Sequence, residues 1–296
     1  MKIPKDTERV DDCILCGESP ISADSHFRRL LGLVDPYDVQ CCLNCGLRWL
    51  SPRPSAAGYT ELYQYENYFN GPDAIECYTR LAAERRPYFR SRLKKIEGCF
   101  TAGARLTILE IGSATGEFIH EARLRGHIAV GIEVSEGARR VAKTLYEIEL
   151  CENNLHALPE NSFDAIHMNH VLEHLPNPLE TLYVCHKLLR DDGLIVVEVP
   201  QQFDNDLDRF RRLIGFAGRS RFDIYSLHHT YFFTPSTLSA ILNHAHFEVI
   251  NMTTANSNRT PFWPFKLRHW LLRPFLWAAD KLHDGGNIIE VFARKI

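Results

Sequence analysis

Leu109-Glu110-Ile111-Gly112-Ser113-Ala114-Thr115-Gly116-Glu117-Phe118 decides the fold. The stretch begins as an apolar run, passes two glycines and opens a helical pattern, EFIHEARLRG. Glycines where a strand turns into a helix let the backbone come close to a ligand. Ala114 takes the middle small position, so the G-x-G-x-x-G of a dinucleotide clamp is incomplete. A pyrophosphate site at the helix N-terminus is therefore disfavoured.

Outward from this turn, RLTILEIG, HIAVGIEV, FDAIHMNHVL and GLIVVEVP are short apolar runs of buried-strand character, separated by helical stretches such as SEGARRVAKTLYE. Strand–helix alternation at this spacing predicts an α/β fold, a Rossmann-like doubly wound and mostly parallel sheet with right-handed crossovers. A helix is predicted from about Ile75 to Ile96, another in STLSAILNHAHF after Thr234-Pro235, and a last strand in NIIEVFARK. Glu133 ends the second strand about 20 residues beyond the glycine loop, where an acid is placed to accept hydrogen bonds from both hydroxyls of a ribose.

LEIGSATGEF, VGIEVS, FDAIHMNHVLEHLPNP and DGLIVVEVP, in this order over about residues 104–200, resemble the successive motifs of class I S-adenosylmethionine (SAM)-dependent methyltransferases. The resemblance implies that Glu110 positions the methionine amino group and that Gly112, Ser113, Ala114 and Gly116 pass along the cofactor. It places Asn154 and Leu155 by the adenine, and Asn169 and His170 at the methionine end. Glu173 and His174 read as residues that cap and pack a helix start.

Cys13-Ile-Leu-Cys16-Gly17 and Cys42-Leu-Asn-Cys45-Gly46 are two C-x-x-C-G knuckles about 25 residues apart. Four thiolates in two tight turns suit tetrahedral Zn²⁺ in a closed structural site. A redox C-x-x-C would bring its own βαβ unit, and a catalytic zinc would need an open position, so both are disfavoured. Cys41 is a spare thiol. Cys77, Cys99, Cys151 and Cys185 sit in regular segments and read as buried structural thiols. The expected organisation is a zinc ribbon over 1–55, an aromatic linker and helix over 56–100, and a SAM-binding domain with a substrate-side region over 101–296.

A two-knuckle ribbon, a PRP, an aromatic stretch and a SAM domain are similar to the methyltransferase branch that includes sugar C-methyltransferases and enzymes of glycan and natural-product pathways. In Ser226-Leu227-His228-His229-Thr230-Tyr231-Phe232-Phe233-Thr234-Pro235, His229 matches that branch's active-site histidine, while His228 stands where the sugar enzymes often carry Glu. The resemblance makes His229, with His228, the candidate base and puts Tyr65, Tyr68 and Tyr231 on the substrate side. It implies a sugar, sugar-nucleotide, glycan or lipid-linked acceptor. The departure at His228 argues against C-methylation by enolate formation and favours O-methylation of a sugar or lipid hydroxyl at least equally; the alternative among enzymes is a small-molecule or quinone-type O- or C-methyltransferase. A docking protein with a non-catalytic SAM fold is the alternative of another class, and the intact Glu110, Gly112, Gly116 and Glu133 set argues against it.

The 296 residues carry a formal net charge of -3, with 45% hydrophobic and 24% charged side chains. That balance gives no general basic field for nucleic acid. The first residues lack the apolar core of a secretory signal, and no apolar run reaches about 18 residues, so a cytoplasmic location is expected. Residues 261–279, PFWPFKLRHWLLRPFLWAA, interleave aromatics with Lys266, Arg268 and Arg273 and could rest on a membrane surface. The oligomeric state is not set by any of these features.

Overall fold

The computed structural model describes residues 6–17, 21–59, 74–152, 155–205, 227–255 and 286–296. Tyr65, Tyr68, Asn154 and the 261–279 stretch, each singled out above, lie outside the described residues.

In the N-terminal part, short strands β1 (Thr7–Glu8), β2 (Ile21–Ala23), β3 (Val39–Cys42), β4 (Arg48–Leu50) and β5 (Arg53–Pro54) surround helix α1 (Ser25–Leu31). Helix α2 (Ala74–Glu97) leads to the α/β body: β6 (Thr107–Ile111), α3 (Glu117–Leu124), β7 (Ile128–Ile132), α4 (Glu136–Tyr146), β8 (Phe163–Asn169), α5 (Pro178–Leu188) and β9 (Leu189–Pro200). The chain continues through β10 (Tyr231–Phe232), α6 (Pro235–His244), β11 (Phe247–Ala255) and β12 (Ile288–Lys295).

Six strands form the central sheet in the order β11-β12-β9-β8-β6-β7. β7, β6, β8 and β9 are mutually parallel, and β12 enters antiparallel between β9 and β11. The parallel strands are apolar on both faces because helices cover both. Their period of two divides the core cleanly. Ile108, Ala165, Leu194 and Val196 pack under α2, α3 and α4, against Leu93, Phe118, Ile119 and Ala142. Leu109, Ile111, Ile166, Met168, Ile195 and Val197 face the other way, toward Leu182 and Cys185 of α5 and Leu238 and Ile241 of α6. The Rossmann-like reading holds. Helix α6 starts where Thr234-Pro235 predicts, with Thr234 as N-cap in a reciprocal capping box with Thr237.

The N-terminal part is joined to the body more closely than a separate ribbon would be. β10 adds to the edge of its sheet, giving the order β10-β4-β3-β2, with Tyr231 opposite Trp49. Cys13, Leu15, Leu47 and Trp49 belong to the same buried cluster as the α5–α6 face of the central sheet. Of the thiols expected to be buried, Cys185 is, Cys99 is half-buried and Cys151 is exposed. Cys151 forms an isolated parallel bridge to Ile132, beyond the β7 edge of the sheet. Among the described residues no helix is long and apolar enough to cross a membrane.

Candidate active site

The glycine turn is stitched to the neighbouring strand. The amides of Gly112 and Ser113 both donate to Ile132 O at 2.9 Å, fixing the loop across the carboxyl ends of β6 and β7. Gly112 has φ +72°, and a Cβ there would lie 2.4 Å from Val171 Cγ2. Glycine is therefore required on both conformational and steric grounds. Gly116, with φ +81°, is the N-cap of α3. The Glu133 carboxylate accepts from Ala114 N and Ser135 N, both at 2.8 Å, so two of its acceptor positions hold the loop and the rest remain available. Burial pushes its pKa up, and the backbone amides of Ser135 and Ala114 oppose that.

Beneath the loop, on the α2–α3 face, lies a buried polar band. Arg92 of α2 pairs with Glu198 and, at 2.6 Å, with Glu290, and its Nη1 stands 3.3 Å from His167 Nε2. A guanidinium only donates, so His167 Nε2 accepts and the ring proton is assigned to Nδ1. Nδ1 then donates to Glu110 Oε1 at 3.1 Å. Burial holds the His167 pKa well below the usual histidine value, with the Arg92 charge acting in the same direction. Glu110 is 3% exposed, and its second oxygen, Oε2, has no hydrogen-bond partner among the described residues. Burial, reinforced by the nearby Glu117, pushes its carboxyl well above the usual carboxylate range. A buried carboxylate with one oxygen oriented from behind and the other unsatisfied calls for a cationic partner. The amino group of SAM is such a partner, so the chemistry of this group fits that cofactor, with Glu110 itself set behind the loop and not among the residues lining the chamber described next.

A cavity of about 840 Å³ opens in front of the loop. Gly112, Ala114, Glu133, Leu155, Asn169 and His170 line it together with His174, His228, His229, Tyr59 and Asn177. One chamber thus joins six of the candidate cofactor residues to both candidate catalytic histidines. Ser113 and Gly116 support it from behind, with Ser113 Oγ donating to Glu110 O at 3.1 Å. His170, at φ +55°, sits between two carboxylates, with Nδ1 3.4 Å from Glu173 Oε1 and Nε2 3.5 Å from Glu198 Oε1. Burial alone would lower its pKa, but Glu173 and Glu198 overcome that and push it up to about 10.

The histidine side is held by the N-terminal sheet. Leu50 N donates to Thr230 O at 2.9 Å, and Thr230 N donates to Glu173 O at 2.7 Å. His174 Nδ1 lies 2.8 Å from His228 O, and His229 Nδ1 lies 2.8 Å from Gln202 Oε1. Burial, with the neighbouring His174, depresses the His229 pKa to about 3. Tyr231 is not placed in the chamber. It is 1% exposed in β10, packed between the N-terminal sheet and the body.

Glu173 and His174, read from sequence as capping and packing residues, lie at the centre of this wall. Arg92 and His167 were not singled out at all. Their signal was a basic residue on the apolar face of the predicted helix and a histidine inside an otherwise apolar strand. The four knuckle cysteines converge as expected: their sulfurs all lie within 4.8 Å of one another, with Cys13 to Cys45 at 3.4 Å and Cys16 to Cys42 at 3.5 Å.

The sheet order, the glycine turn and the buried acids define a SAM-dependent methyltransferase. The chain belongs to the Methyltransferase domain family, whose model matches residues 80–251, more than half of the chain. It is 29% identical over 182 residues to the ubiquinone biosynthesis O-methyltransferase of Azoarcus sp. (strain BH72), covering 56% of this chain and 74% of that protein. The same enzyme of Glaesserella parasuis is 29% identical over 102 residues, 30% of this chain and 43% of that one. Among solved structures, the 1,6-didemethyltoxoflavin-N1-methyltransferase of Burkholderia thailandensis, with its substrate and S-adenosylhomocysteine bound, matches with TM-score 0.53 and 18% identity, covering 89% of this chain and 97% of that one. A SAM-dependent methyltransferase from Archaeoglobus fulgidus matches with TM-score 0.50 and 20% identity, covering 79% and 99%. At these identities the structural matches speak for the fold.

Proposed function

We propose that the protein transfers the methyl group of SAM to a hydroxyl oxygen of a small, ring-bearing acceptor. The observation that carries this reading is the single chamber lined both by Gly112, Ala114 and Glu133 and by His174 and His229. Its size suits a small molecule, since such sites run from about 300 to 1,000 Å³. The curated relatives are named for O-methylation in ubiquinone biosynthesis, which supports a small-molecule acceptor over the sugar or lipid-linked one expected from the N-terminal layout. His228, where the sugar C-methyltransferases often carry Glu, favours transfer to oxygen over transfer to carbon.

SAM supplies an electrophilic methyl on a sulfonium. The protein's residues hold the cofactor and aim the acceptor. With Nδ1 of His229 donating to Gln202, its Nε2 presents a lone pair that accepts the acceptor's hydroxyl proton and orients the oxygen. A pKa near 3 makes His229 an orienting group and not a lasting proton store, so the proton passes on to solvent. The oxygen–carbon bond forms as the carbon–sulfur bond breaks, and the bonding pair stays on sulfur.

The test is methyl transfer from labelled SAM to catechols and hydroxylated benzoates, with sugar nucleotides in parallel. Transfer to the aromatic hydroxyls, falling by roughly 100-fold or more in His229→Ala, is expected for a positioning and acid–base contact. Transfer to sugar nucleotides alone would overturn the reading.

We also infer that Cys13, Cys16, Cys42 and Cys45 hold a structural zinc ion. Their closest sulfur pairs, at 3.4 and 3.5 Å, lie near the edge of about 3.8 Å of a tetrahedron with zinc–sulfur bonds of about 2.3 Å. Such an ion would keep β3 and β4 in place, and β4 carries the Leu50–Thr230 bond that fixes the histidine wall. Metal analysis of the purified chain is expected to find about one zinc per molecule. Cys45→Ser is expected to lose it and to lose methyl transfer more than cofactor binding. A metal-free, fully active protein would rule the zinc out.

A further inference from the structure

We propose that Glu173, His174 and His229 form a second metal site, for a first-row divalent cation, in the acceptor wall of the chamber. One donor atom from each residue lies within 4.8 Å of the other two. His174 Nε2 and Glu173 Oε1 are 3.7 Å apart. Ligands bound at about 2.1 Å in a tetrahedral site stand about 3.4 Å apart, so only a small contraction would close the set.

The hydrogen bonds behind the two imidazoles fix what they offer. His174 Nδ1 faces a backbone carbonyl, His228 O, at 2.8 Å, and a carbonyl only accepts. His229 Nδ1 faces the Gln202 side-chain oxygen at 2.8 Å. Both rings therefore donate from Nδ1, and in the neutral imidazole form each presents Nε2 as a lone pair. An imidazole that donates from one nitrogen to a carbonyl while its other nitrogen is bare is the usual state of a metal-binding histidine.

The third donor is a carboxylate only 1% exposed, and neither of its oxygens has a hydrogen-bond partner among the described residues. His170 Nδ1, 3.4 Å from Oε1, is its other ionic neighbour. The wall is built to hold that arrangement, because Thr230 bonds both ligand-bearing residues, its N to Glu173 O at 2.7 Å and its Oγ1 to His174 O at 3.1 Å. Two imidazoles and one carboxylate suit zinc, manganese or iron(II) rather than calcium, and leave coordination positions open. His174 and His229 line the chamber, so those positions face the acceptor.

This inference rests on the reading of that wall as the acceptor side and deepens it. The lone pairs that would orient a hydroxyl become ligands, and the acceptor oxygen binds the cation directly, which lowers its pKa and makes it a better nucleophile at neutral pH.

The probe is Mn²⁺, titrated calorimetrically and by electron paramagnetic resonance into full-length, zinc-replete protein. One Mn²⁺ per chain is expected beyond the zinc of the cysteine cluster. Glu173→Gln and His229→Gln should each weaken it by more than the roughly 10–100-fold that loss of an outer-sphere partner costs. Both variants should keep S-adenosylhomocysteine affinity within about 3-fold, under 1 kcal/mol, which shows that they fold. Absence of Mn²⁺ binding up to millimolar concentration in protein that binds S-adenosylhomocysteine would overturn the site, as would unchanged Mn²⁺ affinity in both variants. Mn²⁺ binding without methylation of any hydroxyl would sink the acceptor reading and leave the cation site standing.

Discussion

Replacing Glu110 by glutamine is expected to weaken SAM binding on the order of 10–100-fold while leaving the protein without cofactor at least as stable as the wild type. The first effect follows from Oε2 at the end of the buried band, which has no partner among the described residues. An ammonium bonded to a carboxylate gains about 1.5–3 kcal/mol, most of which an amide oxygen cannot supply. The second follows from linkage. Burial raises the Glu110 carboxyl well above its ordinary value, so the folded protein keeps a proton that the unfolded chain releases. Its contribution to stability is therefore fully present below pH of about 4.3, the unfolded carboxyl pKa, and is lost as pH rises toward the folded value. Glutamine carries no such penalty. The cofactor's ammonium needs the ionised carboxylate, so wild-type affinity should rise with pH as Glu110 ionises, with release of a proton, and E110Q should show neither. Calorimetry in buffers of different ionisation enthalpy, over a pH series, measures both. Equal affinity and equal proton release in wild type and E110Q would remove Glu110 from the site.

Gly112→Ala is expected to have the largest effect on the fold. The backbone there is at φ +72°, which costs an L side chain about 1–2 kcal/mol, and the added methyl would lie 2.4 Å from Val171 Cγ2. Overpacking of that kind adds roughly 1–3 kcal/mol, a large part of a typical stability of about 5–15 kcal/mol. SAM binding should fall too, because Gly112 lines the chamber. The steric and conformational parts can be separated. Val171→Ala removes Cγ2, so in the double variant the steric part is recovered and the φ cost remains. Thermal unfolding of the wild type, both single variants and the double variant gives the coupling. Strict additivity would show that Val171 is not what Gly112 accommodates.

The parallel core is legible in the sequence because its strands, buried on both faces, are nearly continuous apolar runs ending at the glycine turn and at Glu133. The knuckle cysteines are legible because thiolate spacing is a local property. Four features are not legible, each for a physical reason. β10 is two residues long and pairs with β4 across a wide sequence separation, so no local pattern announces that the N-terminal sheet carries the histidine wall. β11 is an edge strand with mixed burial and lacks the apolar run of its neighbours. His167 looks like an ordinary interruption of an apolar strand until α2 brings Arg92 over it and fixes its proton toward Glu110. Glu173 and His174 fit a helix-start motif equally well, and only the return of the chain at His228–Thr230 turns them into a wall of the site.

The most direct test of the central claim, that this chamber binds SAM for methyl transfer, is calorimetric titration of zinc-replete protein with SAM and with S-adenosylhomocysteine, alongside Glu133→Ala. One micromolar site for either ligand, abolished in Glu133→Ala, is the expected result. No binding to folded wild-type protein, or binding that Glu133→Ala leaves unchanged, would contradict it.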